Sequence, residues 1–351
     1  MMATEFATRP NARAWAGGLR LLSCAAPLMV LAACGEGSGS SSTSTTSSSG
    51  GTTSTGSTST TTSTTSGGTS SGSVSTAAVL CPYSETGATI NLTSTTTGAS
   101  SASWTCTSTR RSLSGNGIPN HAIGTFPNTN NPNSPTAQTV SFSAILTPVA
   151  ASSNQTGMSL AYGLNSVKFD PGTGGGCPST ATKASDCSAI GGGTWTLEAL
   201  GQSFFSFGAD NNNAHVQPGG VYHYHGMPEG LITALGVSAS APKMVLVGWA
   251  PDGYPVYARY GYTSATDATS AVKTIKSSYA LKTTPDSGRP ATSSIPLGAF
   301  TQDYQYTAGS GDLDDCNGRT GVTPEFPNGI YHYYITDTFP FAPRCWKGTI
   351  Q

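Results

Sequence analysis

Three of the five histidines in the chain, His215, His223 and His225, fall in one short window, and their type and spacing point to metal binding. Neutral imidazole is the commonest nitrogen ligand for zinc and copper, and histidine is the side chain that changes charge nearest neutral pH. A His-x-His pair on an extended backbone offers two rings on one face, because successive side chains of a strand alternate sides. A third imidazole would complete an open three-histidine zinc or copper site. Zinc in such a site lowers the pKa of a bound water to about 7 and makes it a nucleophile. Copper is favoured by intrinsic affinity, and Met227, two residues beyond His225, could then serve as an axial thioether. His215 and His332 are candidates for the third ligand, His121 for a further or supporting one, and Glu229 or Asp252 for the base. The competing reading is a set of histidines hydrogen-bonded within a tyrosine-rich sheet.

Positioning these rings requires a hairpin. Val221-Tyr222-His223-Tyr224-His225 has the aromatic and β-branched character of a strand, with Val221, His223 and His225 on one face and both tyrosines on the other. The tyrosines read as core aromatics with hydrogen-bonded hydroxyls rather than redox centres. Pro218-Gly219-Gly220 is turn chemistry. A loop of those three residues sets His215 opposite His223, with Cβ atoms roughly 4.5–5.5 Å apart. A two-residue loop pairs His215 with Tyr224 and disperses the cluster, so the metal reading depends on register. Further on, Pro327-Asn-Gly-Ile-Tyr-His-Tyr-Tyr334 repeats the shape of Pro218-Gly-Gly-Val-Tyr-His-Tyr-His225. The repeat suggests two pseudo-symmetric, paired hairpins with His332 near the first cluster; convergent strand-and-turn composition is the alternative.

Tyr222-His223-Tyr224-His225, with Asn-Ala-His-Val-Gln-Pro just before it, resembles the signature of the YHYH-domain family of secreted proteins. The similarity continues through Gly248-Trp-Ala-Pro-Asp-Gly-Tyr-Pro-Val-Tyr257 and Gly311-Asp-Leu-Asp-Asp-Cys-Asn-Gly318 to Phe339-Pro-Phe-Ala-Pro-Arg-Cys345. It covers nearly all of the chain after about residue 113. The resemblance implies a secreted protein, and it brings no established reaction with it.

The N-terminus is consistent with export. Arg9, Arg13 and Arg20 precede an apolar stretch over residues 21–33, too short to span a bilayer. Leu31-Ala32-Ala33-Cys34-Gly35 resembles a bacterial lipobox, so residues 1–34 are expected to be a lipoprotein signal peptide ending at a lipidated Cys34; an ordinary signal peptide is the alternative. Acyl chains on Cys34 would hold the protein at a membrane surface. By the same resemblance, Glu36 in place of aspartate favours the outer membrane or cell surface. Residues 37–73 contain only Ser, Thr and Gly, so residues 35–76 are expected to be a disordered linker or a glycosylated stalk. As a flexible coil the linker would reach on the order of 35 Å.

From residue 77 the chain is long enough for one large domain or two small ones. Only 9% of residues are charged and the net charge is −1, which excludes a basic nucleic-acid footprint. Six cysteines remain after Cys24 and Cys34. Their order suggests local closures, Cys81–Cys106, Cys177–Cys187 and Cys316–Cys345, among fifteen possible connectivities. A thiolate metal site is disfavoured, since no C-x-x-C pair exists and an exported chain meets an oxidising compartment.

The rest of the chain reads as strands and turns. Residues 77–112 suggest short strands in a small N-terminal decoration, and residues 140–146, 158–169 and 244–249 suggest further strands. Residues 195–199 read as a short helix or strand, Asp252-Gly253 as a hairpin turn, and residues 264–282 as having helical potential. The glycine runs near residues 172–176 and 191–193 lack the Lys-Ser/Thr of a phosphate loop and read as turns. Asp312, Asp314, Asp315 and Asn317 invite a calcium reading. Cys316 stands where a third oxygen ligand belongs and no Glu occupies the twelfth position, so a disulfide-held turn is the stronger one. No Gly-x-Ser-x-Gly elbow in the part expected to fold, and no expected free cysteine, supports nucleophilic catalysis, while the acidic residues over 303–325 leave a glycosidase-like carboxylate pair open.

The expectation is a mainly β protein: a single β-rich domain over residues 77–351, sandwich or barrel-like, with long loops, few short helices and disulfide staples. Functionally it is read as a surface lipoprotein binding zinc or copper through clustered histidines, for metal-dependent hydrolysis, oxidation or metal capture. The rival is a non-catalytic module that binds carbohydrate or protein through exposed tyrosines. Its membrane contact would be the lipid anchor alone, and its partner a small molecule, carbohydrate or cell-surface component.

Overall fold

The computed structural model describes residues 81–157 and 159–351. The signal peptide, lipidation site and linker expected over residues 1–76 lie outside the described residues.

Hydroxyl and apolar residues alternate at the start of this region, the period of a half-buried sheet. β1 (Tyr83–Asn91), β2 (Thr97–Cys106), β3 (Arg110–Gly115) and β4 (Val140–Ile145) form an antiparallel sheet in chain order. The Cys81–Cys106 disulfide ties its first strand to the end of its second. This sheet shares a core with the remainder: Ala102, Trp104 and Leu113 pack with Leu246, Trp249 and Tyr257. The Trp104 indole donates to the Leu164 carbonyl at 3.1 Å.

β5 (Ala150–Gln155) follows, and then β6 (Ala161–Gly163) and β7 (Lys168–Phe169) stand where the sequence suggests one strand. A tight turn divides them: Gly163 N–H donates to the Val167 carbonyl at 2.7 Å, and Ser166 adopts φ +66°. Asn165-Ser166 supplies the turn chemistry that the surrounding apolar alternation obscures. β8 (Gly176–Cys177) and β9 (Trp195–Thr196) pair briefly beside the Cys177–Cys187 disulfide.

β10 (Ala214–Gln217) and β11 (Val221–Tyr224) come next, followed by the short helix α1 (Glu229–Ala234). β12 (Leu246–Trp249) and β13 (Pro255–Ala258) are joined by the Asp252-Gly253 turn, with Gly253 at φ +88°. The helical potential of residues 264–282 is not realised. β14 (Tyr260–Tyr262) pairs there with β15 (Val272–Thr274), and β16 (Tyr279–Leu281) with β17 (Tyr304–Tyr306). A sheet partner outweighs the weak helix preference of Ala271-Val272-Lys273-Thr274, which carries two β-branched residues. β18 (Gly318–Gly321), β19 (Ile330–Ile335) and β20 (Trp346–Gly348) complete the chain. β20 pairs back onto β5, and Cys316–Cys345 fastens the last segment to the core.

The central sheet has eight strands in the order β10-β11-β7-β6-β12-β13-β19-β18, with parallel pairs at β11/β7 and β13/β19. The sheets are open, neither closing into a barrel, and the molecule is mainly β. This order also corrects the expected pairing of the two similar hairpins. β11 and β19 are separated by β7, β6, β12 and β13, on the order of 24 Å across the sheet at normal strand spacing.

Candidate metal centre

The turn at Pro218-Gly219-Gly220 has the three-residue length that the triad requires. Gln217 pairs with Val221, Val216 with Tyr222 and His215 with His223. Gly219 and Gly220 take φ +89° and +81°, conformations that cost an L side chain energy. A Cβ on Gly220 would also come within 2.2 Å of Thr136 Oγ1.

The two faces of the hairpin have different tasks. Ala214, Val216, Tyr222 and Tyr224 lie in the main core with Phe126, Phe169 and Leu231. Their polar ends are satisfied: the Tyr222 hydroxyl donates to Asp210 at 2.8 Å, and the Tyr224 hydroxyl lies 2.6 Å from His121 Nε2 and accepts from Asn165 at 2.9 Å. On the opposite face His215, His223 and His225 converge, with ring centroids 4.6–4.7 Å apart. One ring nitrogen from each lies within 4.8 Å of the others, the one such cluster of potential ligands among the described residues.

Backbone carbonyls fix the tautomers. His215 Nδ1 lies 2.9 Å from the Phe207 carbonyl and His223 Nδ1 lies 3.3 Å from the Val221 carbonyl. A carbonyl only accepts, so each Nδ1 carries the proton and each Nε2 presents a lone pair. His225 Nε2 lies 3.1 Å from His215 Nε2, while its buried Nδ1 has no hydrogen-bond partner. Two nitrogens bound tetrahedrally to zinc at 2.0–2.1 Å stand about 3.3 Å apart, so this edge is near ligand geometry. Burial lowers the pKa of all three rings, well below the ordinary value for His223 and His225. All three are therefore neutral at pH 7, the state that binds metal.

The triad opens onto a cleft of about 620 Å³. Leu160, Phe207 and Trp346 supply apolar walls, and Asp170, Thr173 and Arg344 supply polar ones. Asp170 pairs with Lys168 at 2.8 Å, and Arg344 with the buried Glu198 at 2.9 Å. Sequence reasoning passed over Asp170 and Glu198, which no local motif contains, and gave no role to Arg344, although it lies in the Phe339-Pro-Phe-Ala-Pro-Arg-Cys345 stretch. The one available signal was the position of Asp170 directly after a strand-ending Phe169.

The other candidates lie elsewhere. His332 has its Nδ1 2.9 Å from the Ile330 carbonyl and its Nε2 3.2 Å from the Tyr334 hydroxyl, inside the core. His121 is bound on the far side of the hairpin, to Tyr224 and the Ala122 carbonyl. Glu229 pairs with Arg259, and Asp252 accepts from the Tyr333 hydroxyl at 2.6 Å and the Gly348 amide at 2.9 Å; neither lines the cleft to act as base. Met227 packs in the main core and does not line the cleft.

Protein groups also occupy the calcium candidates. Asp312 holds Lys273 at 2.6 Å, Asp315 holds Lys347 and Asn154, and Asp314 accepts from the amides of Cys316 and Gly318. Asn317, at φ +57°, donates to the Tyr334 carbonyl. The three carboxylates are spent on a turn held by Cys316–Cys345, in agreement with the disulfide reading rather than the calcium one, while the Asn317 Oδ1 is buried without a partner.

A family model described as YHYH protein matches residues 137–348, a span that includes every strand of the central sheet and all three clustered histidines. No curated protein matches the chain, and no solved structure does.

Proposed function

The chain belongs to the YHYH protein family, and on that premise we propose that it is an exported protein holding one zinc ion through His215, His223 and His225. The observation that carries this reading is the convergence of three neutral imidazoles within 4.8 Å at the wall of a cleft. Zinc is favoured over copper because the thioether that argued for copper, Met227, packs in the core. Bound zinc would supply a Lewis acid and a water with pKa about 7. The cleft would give a small molecule access, and Asp170 is the carboxylate on its wall, which supports a hydrolytic role. Three disulfides fit export. Anchoring through a lipidated Cys34 remains part of the proposal, to be checked by acyl labelling that a Cys34→Ala variant loses.

The tyrosine-platform alternative has little surface to work with, since Tyr306 is the one exposed tyrosine among the described residues, the others being half-buried or buried. Elemental analysis of tag-free protein tests the metal reading. Near-stoichiometric zinc is expected in the parent and in His121→Gln, and none in His223→Ala/His225→Ala. Parent protein without zinc or copper, or a double variant that keeps its metal, overturns it; copper in place of zinc corrects the identity alone.

A further inference from the structure

We propose that the cleft takes a small organic carboxylate, its charged end between the metal position and Arg344 and its apolar body against Leu160, Phe207 and Trp346. The inference rests on the metal reading and adds the class of ligand. Three neutral imidazoles leave the charge of a dication uncompensated. The other charges at the cleft cancel in pairs, Lys168 with Asp170 at 2.8 Å and Arg344 with Glu198 at 2.9 Å. A loaded site therefore carries a net positive charge in a partly desolvated pocket, where an anion is strongly favoured.

Arg344 is arranged to share in that recognition. Its hydrogen bonds, to both Glu198 oxygens and the Pro340 carbonyl, all leave from Nη2. Nε is buried without a partner. The guanidinium is thus held in place at one nitrogen with donor capacity left, and its charge is felt at His225. A planar guanidinium suits a carboxylate, with which it forms charge-assisted hydrogen bonds. Leu160, Phe207 and Trp346 are nearly inaccessible yet line the same cleft, and Ile190 is 69% exposed beside it. A cleft of about 620 Å³ has the size of ordinary small-molecule sites.

Calorimetric titration of zinc-loaded protein with benzoate, and with uncharged benzamide as control, tests the proposal. Benzoate should bind at least tenfold tighter than benzamide, and removing zinc should weaken it at least tenfold. Glu198→Gln keeps a hydrogen-bonding group beside Arg344 while removing the opposing charge, and should tighten benzoate severalfold. Arg344→Gln/Glu198→Gln leaves no buried charge unpaired and should weaken benzoate at least tenfold with zinc content unchanged. Equal binding of benzamide, or undiminished benzoate affinity in the zinc-loaded double variant, overturns the carboxylate subsite while leaving the metal centre standing. Parent protein that holds no metal sinks both.

Discussion

His215 Nε2 and His225 Nε2 face each other at 3.1 Å, from rings that stand nearly perpendicular at 88°. The Phe207 carbonyl commits the His215 proton to Nδ1, so two arrangements are open to the pair. In one, His225 donates from Nε2 and its buried Nδ1 is left a bare acceptor, at a cost of about 1–3 kcal/mol. In the other, both Nε2 lone pairs meet a cation, and His225 carries its proton on Nδ1, with the nearby Pro171 carbonyl favouring the protonated ring without completing a hydrogen bond to that atom. The second engages both Nε2 atoms, which would suit the pair to a metal ion.

Register should be decisive for metal retention. Deleting Gly219, with Val221 drawn into a three-residue turn, pairs Gln217 with Tyr222 and sets His215 against Tyr224, the pairing that scatters the rings. Zinc retention after dialysis should disappear. Among substitutions, Gly219→Ala should cost about 1 kcal/mol for its positive φ. Gly220→Ala should cost more, because its methyl also meets Thr136. Denaturant unfolding checks the order, and a deletion variant that keeps full zinc would disprove the register argument.

Acid should destabilise the fold through His332. Burial lowers its pKa to about 4, against an ordinary 6.5. The folded state therefore prefers the neutral ring, and the stability this provides is present above pH 6.5. It is lost as pH falls through that window and gone below about 4. The difference corresponds to about 3 kcal/mol. Buried Asp252 and half-buried Glu325, whose pKa values are raised by desolvation, act in the opposite sense as pH falls. The contribution of His332 is thus best isolated by comparing unfolding free energies of parent and His332→Asn between pH 7 and 4. Parallel curves for the two would refute it.

The rear face of the hairpin should support stability and leave the metal alone. Tyr224→Phe removes the hydroxyl that lies 2.6 Å from His121 and accepts from Asn165. Leaving those buried groups unpaired should cost about 1–3 kcal/mol. Zinc stoichiometry should be unchanged, because the ring still packs against Phe169. Thermal unfolding and elemental analysis on the same sample read both quantities, and a fall in zinc would show that the rear network sets ligand geometry.

Some of this arrangement was legible in the residues alone. Alternation along Val221-Tyr222-His223-Tyr224-His225 is a local fact, and it determined that His223 and His225 share a face; whether the turn holds two residues or three was left to the structure, which sets His215 opposite His223. Chain order likewise indicated the three disulfides. The remaining assignments depended on how strands assemble. Similar turn-and-strand sequences place His223 and His332 on β11 and β19, but sheet order keeps those strands apart. Asp170, Arg344 and Glu198 come from three distant stretches, and Arg344 reaches the cleft on the segment that Cys316–Cys345 fastens. A strand encodes its own faces with period two, whereas its neighbours are selected by packing of the whole core. The sequence therefore determined the shared face of His223 and His225, and only the tertiary structure decided which third histidine joins them and what stands around the cluster.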